Sequence, residues 1–322
     1  MLIPIGAGLA VWPTIGVAPT SGTLTVAVVQ GNAPDIGLDL LGARDTIRSN
    51  HLAESRRLLD AIADDQVPQP DLLVWPETAT AISGPDPVLD DLVADFGAPA
   101  LIGALYYVPG GGAENAVVTW DPETGAGERY TKQELVPFAE YVPLRSIARW
   151  FTPFVEDTAD MRSGTRAGVL EVGGITVGVA ICYEAAYDYI AREAVAAGAQ
   201  LLVVPTNNAW YGPGEMSHQQ LAMSRLRAVE LGRAAVVAAT SGVSAIVRPD
   251  GSLARSTDLF TAESLVETVP LRDETTIAAR LGGWPEWILV GVGVVTLVLT
   301  VGFRFRGRIE GRDRAGREDV GR

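Results

Sequence analysis

Cysteine and histidine are scarce in this sequence of 322 residues, which contains one cysteine, Cys182, and two histidines, His51 and His218. A single cysteine cannot form an internal disulfide, and no second cysteine can help it hold a metal, so a disulfide framework is excluded. His51 lies in a polar helical stretch, residues 46–59, and we expect it at the surface. A Cys–His catalytic pair would therefore depend on His218 alone, which leaves carboxylates and lysine as the other groups able to activate the thiol.

Acidic residues outnumber basic residues in the sequence. The sequence has 25 lysines and arginines against 39 acids, a formal net charge of −14. The C-terminal residues 304–322 carry seven arginines and four acids, so the rest of the chain carries a net charge of −17. An acidic body argues against a nucleic-acid partner, because phosphate backbones are bound by positive surfaces.

Short apolar runs alternate with helical patterns, which predicts a layered α/β domain. The three glycines at residues 110–112 predict the tip of a hairpin. The predicted strands are 24–30, 72–75, 100–107, 116–120, 168–172, 175–181, 201–205, 235–240 and 245–248, and the predicted helices are 43–64, 86–96, 185–197 and 217–231.

The lone cysteine follows the apolar run 175–181, and a helical segment, residues 184–197, comes directly after it. A strand-to-helix turn projects a side chain out of the sheet into a pocket, which is how many hydrolases present a nucleophile. Taken alone, a free cysteine in such a run is more often a small buried hydrophobe. The polar neighbours Tyr183 and Glu184 favour the catalytic interpretation.

Two other segments supply charged side chains at the ends of predicted strands. Glu77 follows a short apolar strand that stops at Pro76, and Lys132 follows a second predicted strand. Beyond Lys132, Pro137 and Pro143 frame an ordered loop that cannot be helical. Each charge taken alone would be a solvated loop residue, but their combination with the cysteine favours a catalytic site.

Glu77, Lys132 and Cys182 match, in order and local context, the Glu-Lys-Cys triad of the nitrilase, or carbon-nitrogen hydrolase, superfamily. The sequence also resembles the apolipoprotein N-acyltransferase branch of that superfamily, through six blocks in the same order. The blocks are Val-Ala-Val-Val-Gln-Gly-Asn at 26–32, Trp-Pro-Glu-Thr at 75–78, Lys-x-x-Leu-Val-Pro-Phe-x-Glu-Tyr-Val-Pro-Leu-Arg at 132–145, Cys-Tyr-Glu at 182–184, Val-Val-Pro-Thr-Asn-Asn-Ala-Trp-Tyr at 203–211, and the segment 218–230 that begins His-Gln-Gln-Leu.

The resemblance implies a four-layer α-β-β-α sandwich and a role for each member of the triad. Glu77 is the general base, Cys182 is the nucleophile, and Lys132 stabilises the thiolate and the developing oxyanion. A carboxylate in water is a weak base, so we expect Glu77 to be buried. The backbone N–H of Tyr183 is a second candidate donor to the oxyanion.

Two more carboxylates carry over from the family motifs in supporting roles. Glu140 resembles the loop glutamate that positions the lysine or the triad glutamate, and Glu184 resembles the glutamate that orients the pocket. Both are also compatible with a structural role, as buried carboxylates paired with an arginine or with backbone N–H groups. The implied chemistry is acyl transfer through a thioester, which needs no cofactor and no metal.

The C-terminal region predicts a membrane anchor. Residues 287–303 contain no charge, and roughly 17–25 apolar residues span a bilayer. Trp284 and Trp287 at one edge and arginines beyond the other resemble interfacial anchors. The positive-inside rule then places the tail in the cytoplasm of a bacterium and the catalytic domain on the extracytoplasmic side of the cell membrane.

The sequence therefore predicts four regions, although its N-terminal region departs from the family. Full-length members of the branch carry a multi-helix membrane domain, and this sequence lacks most of it, so we expect a fragment, the product of a split gene or a misassigned start site. The predicted regions are an apolar segment at 1–20 that is a candidate for the end of a membrane helix, a nitrilase-like catalytic domain at 22–275, a transmembrane helix at 284–303 and a basic cytoplasmic tail at 304–322.

The leading hypothesis is an N-acyltransferase that moves an acyl chain from a phospholipid to the α-amino group of the N-terminal diacylglyceryl-cysteine of a lipoprotein. Trp150, Phe151 and Phe154 are candidates for a lid that dips towards lipid, with ordinary packing as an equal alternative. Two other functions stay open. One is an amidase or nitrilase that acts on a small molecule, and the other is a non-catalytic membrane interaction module. Some members of the branch are fused to, or act beside, a polyprenol-phosphate mannosyltransferase, which makes such an enzyme a candidate partner.

Overall fold

The structure is a computed structural model that describes residues 6, 8, 12, 15–33, 43–150 and 160–318, with the backbone alone beyond residue 301. It divides into two compact units, Met1–Thr276 and Ile277–Arg322. The strands are β1 (Thr23–Gln30), β2 (Leu72–Val74), β3 (Thr80–Ile82), β4 (Ala100–Tyr107), β5 (Ala113–Asp121), β6 (Gly125–Thr131), β7 (Val169–Val172), β8 (Ile175–Val179), β9 (Leu201–Thr206), β10 (Ala235–Ala239), β11 (Ala245–Val247), β12 (Leu253–Ser256) and β13 (Glu263–Pro270).

Two β-sheets form the centre of the first unit. Among the described residues, the first sheet has seven strands in the order β13-β1-β2-β4-β5-β6, with β3 paired to β4. The second sheet has six strands in the order β12-β11-β10-β9-β8-β7. The middle strands of both sheets run parallel and the outer ones antiparallel. The carboxyl ends of the parallel strands therefore present their following loops along one edge.

The central strands are apolar without interruption because both of their faces are buried. In β1, Val26 and Val28 pack into the core between the two sheets, while Ala27 and Val29 pack against the helices. Successive side chains of a strand point to opposite faces, so a strand covered on both sides needs an apolar residue at every position.

The helices are α1 (Arg44–Ala63), α2 (Pro87–Phe96), α3 (Arg145–Ala148), α4 (Asp188–Ala196) and α5 (Met216–Leu231), with two 3₁₀ turns at Cys182–Ala186 and Asn208–Tyr211. Leu58 of α1 and Phe96 of α2 pack on the outer face of the first sheet. Helices α4 and α5 pack against β8 and β10 of the second sheet. The predicted four-layer α-β-β-α sandwich is confirmed.

Helix α2 illustrates how local sequence sets the bounds of an element. Asp86 accepts the Leu89 N–H at 3.2 Å and so caps the start of the helix, and Pro87 occupies the first helical position, where no N–H is needed. Gly97 ends the helix in the left-handed conformation at φ 61°, which glycine adopts without a steric penalty. The prediction of 86–96 was correct to within one residue.

Some predicted elements differ from the structure. The predicted helix 185–197 is a 3₁₀ turn at Cys182–Ala186 followed by a separate α4. Strands β3, β12 and β13 were not predicted, and β6 was predicted only as a strand of unstated bounds before Lys132. Strands β12 and β13 lie at sheet edges, bury few residues and contain no long apolar run. The predicted hairpin tip at residues 110–112 lies between β4 and β5, which pair antiparallel, and is confirmed.

The expectation that His51 lies at the surface is wrong. Its side chain is fully buried, its Nδ1 is 2.7 Å from the Ile47 carbonyl oxygen, and its ring centroid is 5.6 Å from that of Trp75. The buried face of α1 carries polar as well as apolar side chains, so the 3.6-residue pattern that normally marks a buried face is hidden. Burial lowers the pKa of His51 to about 4.

The second unit begins with the short helix α6 (Ile277–Leu281) and continues into the long helix α7 (Trp284–Glu318). Within α7, residues Trp284–Val301 form a segment long and apolar enough to cross a membrane. Their side chains are not buried within the structure. A run of exposed valine and leucine is unfavourable in water.

Candidate active site

The three residues of the predicted triad lie in loops that follow strands of both sheets. Glu77 comes three residues after β2, Lys132 directly after β6, and Cys182 three residues after β8. Their exposed fractions are 5%, 1% and 6%. Burial strengthens the electrostatic interactions among these groups and removes water that would otherwise solvate them.

Lys132 lies between two carboxylates. Its Nζ is 3.0 Å from Glu77 Oε1 and 3.0 Å from Glu140 Oε1. Both carboxylates are nearly fully buried, and the second Glu140 oxygen accepts the Val136 N–H at 2.7 Å. Burial disfavours the charge on Lys132, but the electrostatic effect of Glu77, Cys182 and Glu140 is stronger than that of burial. The pKa of Lys132 is therefore raised. The only lysine of the sequence is therefore held as an ammonium.

Asn115 is a member of this cluster that the sequence analysis missed. Its Nδ2 donates to Glu77 Oε1 and to Glu140 Oε1, both at 2.6 Å. Its backbone oxygen also accepts the Lys132 N–H at 2.8 Å. Two carboxylate oxygens at this distance require the NH₂ side of the amide to face them. Asn115 lies within a strand, with no local pattern that would have marked it as a site residue.

Cys182 occupies a strained turn. It has a φ of 55°, in the left-handed region that side chains with a Cβ adopt at a cost of about 1–3 kcal/mol. It is the first residue of the 3₁₀ turn, whose first-turn N–H groups, that of Tyr183 included, have no partner within the turn. The Tyr183 ring is exposed. A sulfur at the start of a helical turn suits a nucleophile.

The surroundings of the sulfur keep Cys182 protonated at neutral pH. Burial and then the Glu77 carboxylate raise the pKa of the thiol to about 11, while Lys132, Thr206 and Gln220 act in the opposite direction. Because the thiolate is the reactive form, attack at neutral pH requires a base to take the proton as the bond to carbon forms. Glu77 is the carboxylate that contributes most to the potential at the sulfur.

Glu184 joins the loop that carries Lys132 to the turn that carries Cys182. One carboxylate oxygen accepts the N–H groups of Gln133 and Glu134 at 2.7 and 3.1 Å, and the other accepts the Ile181 N–H at 2.7 Å. The Tyr130 hydroxyl donates to both oxygens, at 2.9 and 3.1 Å. Burial raises the pKa of Glu184, and these hydrogen bonds oppose that effect. Glu184 thus links the loop that carries Lys132 to the turn that carries Cys182.

The loop that carries Glu77 is held by close backbone packing. A Cβ on Gly103 would lie 2.0 Å from the Pro76 carbonyl oxygen, so only glycine lets β4 approach the loop this closely. The second oxygen of Glu77 accepts the Asn207 N–H at 2.7 Å, and Asn207 Nδ2 donates to Thr78 Oγ1 at 2.9 Å. His218, the one histidine considered for a Cys–His pair, has an exposed side chain.

Comparison with known proteins identifies the family of the chain. The carbon-nitrogen hydrolase family model matches residues 25–279. The apolipoprotein N-acyltransferase of Mycolicibacterium smegmatis is 36% identical over 308 residues, which cover 90% of this chain and 51% of that protein. The corresponding enzyme of Shewanella oneidensis is 30% identical over 94% of this chain and 60% of its own length. The chain thus spans roughly half of these curated relatives.

Solved structures with the same fold belong to the nitrilase superfamily. An amidase from Nesterenkonia sp. AN1 superposes with a TM-score of 0.56 at 21% identity, covering 82% of this chain and 96% of the amidase. Nit3 of Saccharomyces cerevisiae gives a TM-score of 0.56 at 16% identity, covering 78% of this chain and 91% of that protein. With the match of the family model over most of the sequence, these results establish that the chain belongs to the carbon-nitrogen hydrolase family.

Proposed function

We propose that this chain is the catalytic part of a membrane-bound N-acyltransferase, in which Cys182 takes an acyl chain from a phospholipid and passes it to the α-amino group of a lipoprotein's N-terminal diacylglyceryl-cysteine. The relatives similar over most of this chain are named apolipoprotein N-acyltransferase. The observation that carries the proposal is the buried cluster in which Lys132 bridges Glu77 and Glu140 beside the only cysteine. No cofactor is needed for this chemistry.

In the first half of the reaction, the Cys182 sulfur attacks the carbonyl carbon of the phospholipid ester while Glu77 takes the thiol proton. The carbonyl electrons move onto oxygen, where the third Lys132 N–H and the Tyr183 backbone N–H stabilise the charge. When the carbonyl re-forms, the carbon–oxygen bond of the ester breaks, and Glu77 returns the proton to the departing lysophospholipid oxygen. The product is a thioester on Cys182.

In the second half, the neutral α-amino group of the acceptor attacks the thioester carbon. Glu77 takes the proton that the nitrogen loses, the carbon–sulfur bond breaks, and the proton goes to the sulfur to regenerate the thiol. Glu77 therefore acts as base and acid in turn. Glu140 and Asn115 hold Glu77 and Lys132 in place, and Glu184 sets the distance between the loops that carry Lys132 and Cys182.

An apolar surface on the loop that follows Lys132 supports a lipid donor. Phe138, Leu144, Ile147 and Trp150 have exposed fractions of 70%, 73%, 54% and 87%. Large apolar side chains exposed along one segment of the chain favour contact with lipid or protein. We assign Trp150 to a lid over the acyl chain, while Phe151 and Phe154, the other predicted lid residues, lie outside the described residues.

The membrane assignments belong to the same proposal. We assign residues 22–275 to the catalytic domain, 284–303 to a transmembrane helix and 304–322 to a cytoplasmic tail, which puts the catalytic domain on the extracytoplasmic side. Most of the apolar segment 1–20 lies outside the described residues. A polyprenol-phosphate mannosyltransferase is the proposed protein partner, and co-purification from membranes would test it.

The test is the mass of the intact protein after incubation with phospholipid vesicles. We expect an added mass of one acyl chain, which hydroxylamine removes because it cleaves thioesters, and no addition in the Cys182→Ala variant. Addition of a synthetic diacylglyceryl peptide should remove the acyl chain from Cys182 and yield the N-acyl peptide. If simple amides are hydrolysed while phospholipid leaves the mass unchanged, the chain is an amidase and the proposal is wrong.

A further inference from the structure

Tyr211 brings a hydroxyl group to the candidate nucleophile. It ends the 3₁₀ turn Asn208–Tyr211, and its hydroxyl oxygen is 4.0 Å from the Cys182 sulfur. Asn207, which caps this turn, is the residue whose N–H and side chain bind Glu77 and Thr78. The turn that carries Tyr211 is therefore fixed to the loop of the candidate base, and the hydroxyl has a defined position over the sulfur.

The Tyr211 hydroxyl retains its proton under physiological conditions. Burial raises its pKa first, and the nearby Cys182 and Glu77 raise it further. A phenol that stays neutral can donate its hydrogen but cannot act as a base at neutral pH. Any role in the reaction must therefore be that of a hydrogen-bond donor.

The donors that face the reacting carbonyl are limited in number. An ammonium has three protons, and two of those on Lys132 are directed at Glu77 Oε1 and Glu140 Oε1. One is left for the carbonyl oxygen. A separation of 4.0 Å is long for a hydroxyl that donates to the sulfur itself. During attack, however, the carbonyl carbon lies between the sulfur and the carbonyl oxygen. A group that donates to that oxygen therefore lies farther from the sulfur than a group that donates to the sulfur itself.

We infer that the Tyr211 hydroxyl donates a hydrogen bond to the oxygen of the acyl carbonyl attacked by Cys182. As the sulfur–carbon bond forms, the carbonyl electron pair moves to oxygen, and the Tyr211 O–H shares the charge with the remaining Lys132 N–H and the Tyr183 backbone N–H. Tyr211 keeps its proton throughout, and the pair returns to the carbonyl when the leaving oxygen departs. The inference rests on the proposed acyl transfer and extends it with a catalytic residue.

The experiment compares two reactions of the same sulfur in the full chain in detergent. Acylation by p-nitrophenyl butyrate passes through an oxyanion, whereas alkylation by iodoacetamide does not. The chain has one cysteine, so intact mass reports both reactions at Cys182. The variant is Tyr211→Phe, which removes one oxygen atom. The matched control is Tyr187→Phe, which removes a hydroxyl from the residue that follows the Cys182–Ala186 turn.

We expect Tyr211→Phe to slow acylation about 100-fold, as loss of one oxyanion donor does, and to leave the pH profile of alkylation unchanged. The control should match the wild-type chain in both reactions. Acylation at the wild-type rate would overturn the inference. So would an equal loss in both reactions, because the hydroxyl would then act on the thiolate. If phospholipid fails to acylate the wild-type chain while the ester succeeds, the proposed lipid donor is wrong and the assignment of Tyr211 stands.

Discussion

Replacing Glu184 by glutamine should loosen the connection between the loop that carries Lys132 and the turn that carries Cys182, while changing almost no side-chain volume. The carboxylate accepts hydrogen bonds from three backbone N–H groups and from the Tyr130 hydroxyl. The amide of glutamine has one accepting oxygen, and its NH₂ must face a donor. The least costly orientation keeps the Gln133 and Glu134 contacts and places the NH₂ against the Ile181 N–H.

The size of the expected destabilisation follows from these contacts. A buried N–H left without a partner costs about 1–3 kcal/mol. The remaining contacts lose their charge-assisted strength, since hydrogen bonds to an ion are roughly twice as strong as neutral ones. Relief of the buried charge, whose pKa is raised by burial, offsets part of this. We expect Glu184→Gln to lower the free energy of unfolding by about 2–4 kcal/mol.

Urea denaturation of the full chain in detergent measures the stability, and iodoacetamide alkylation of Cys182 measures the state of the site. The Ile181 contact fixes the start of the turn. In the variant we therefore expect Lys132 to lose its influence on the rate at which Cys182 is alkylated. Glu134→Gln is the matched control, because Glu134 loses the same charge while its side chain, within the described part of the chain, accepts a hydrogen bond from the Tyr189 hydroxyl. Equal stability of Glu184→Gln and wild type would refute the role assigned to this carboxylate.

Three further predictions concern single groups. Asn115→Asp should abolish acylation of Cys182, because a third carboxylate would replace the amide that lies 2.6 Å from Glu77 and Glu140, and wild-type acylation rates would contradict this. Alkylation of Cys182 should keep rising towards pH 11, in line with a thiol pKa of about 11, and Lys132→Met should move the midpoint higher because the ammonium lowers that pKa. His51 has a folded-state pKa of about 4, against 6.5 for the free side chain. The unfolded chain therefore binds more protons between these values, and stability should be full above pH 6.5 and fall by about 3 kcal/mol as the pH drops to 4. His51→Gln should flatten this dependence in urea denaturation, and an unchanged slope would show that other groups cause it.

Much of the fold could be predicted because the two sheets bury their central strands on both faces. The apolar runs at β1, β4 and β9 are long, uninterrupted and bounded by polar or turn residues, so their limits were predicted to within one residue. The outer strands β12 and β13 bury few residues and contain no long apolar run, and they were missed. The face of α1 that carries His51 was missed for the related reason that its buried positions are polar.

The sequence by itself determined which residues follow which strands, and through the family motifs it named Glu77, Lys132, Cys182, Glu140 and Glu184. Only the tertiary structure decided that Asn115 bridges two carboxylates, that Glu184 ties two loops together, and that Tyr211 reaches the sulfur. The physical reason is the difference in range along the sequence between the two kinds of interaction. Periodicity and capping act over a few residues, so the chain records them locally. The distances among these side chains are set by strand pairing and sheet packing between segments far apart in sequence, such as the 130 residues that separate Glu77 from Asn207.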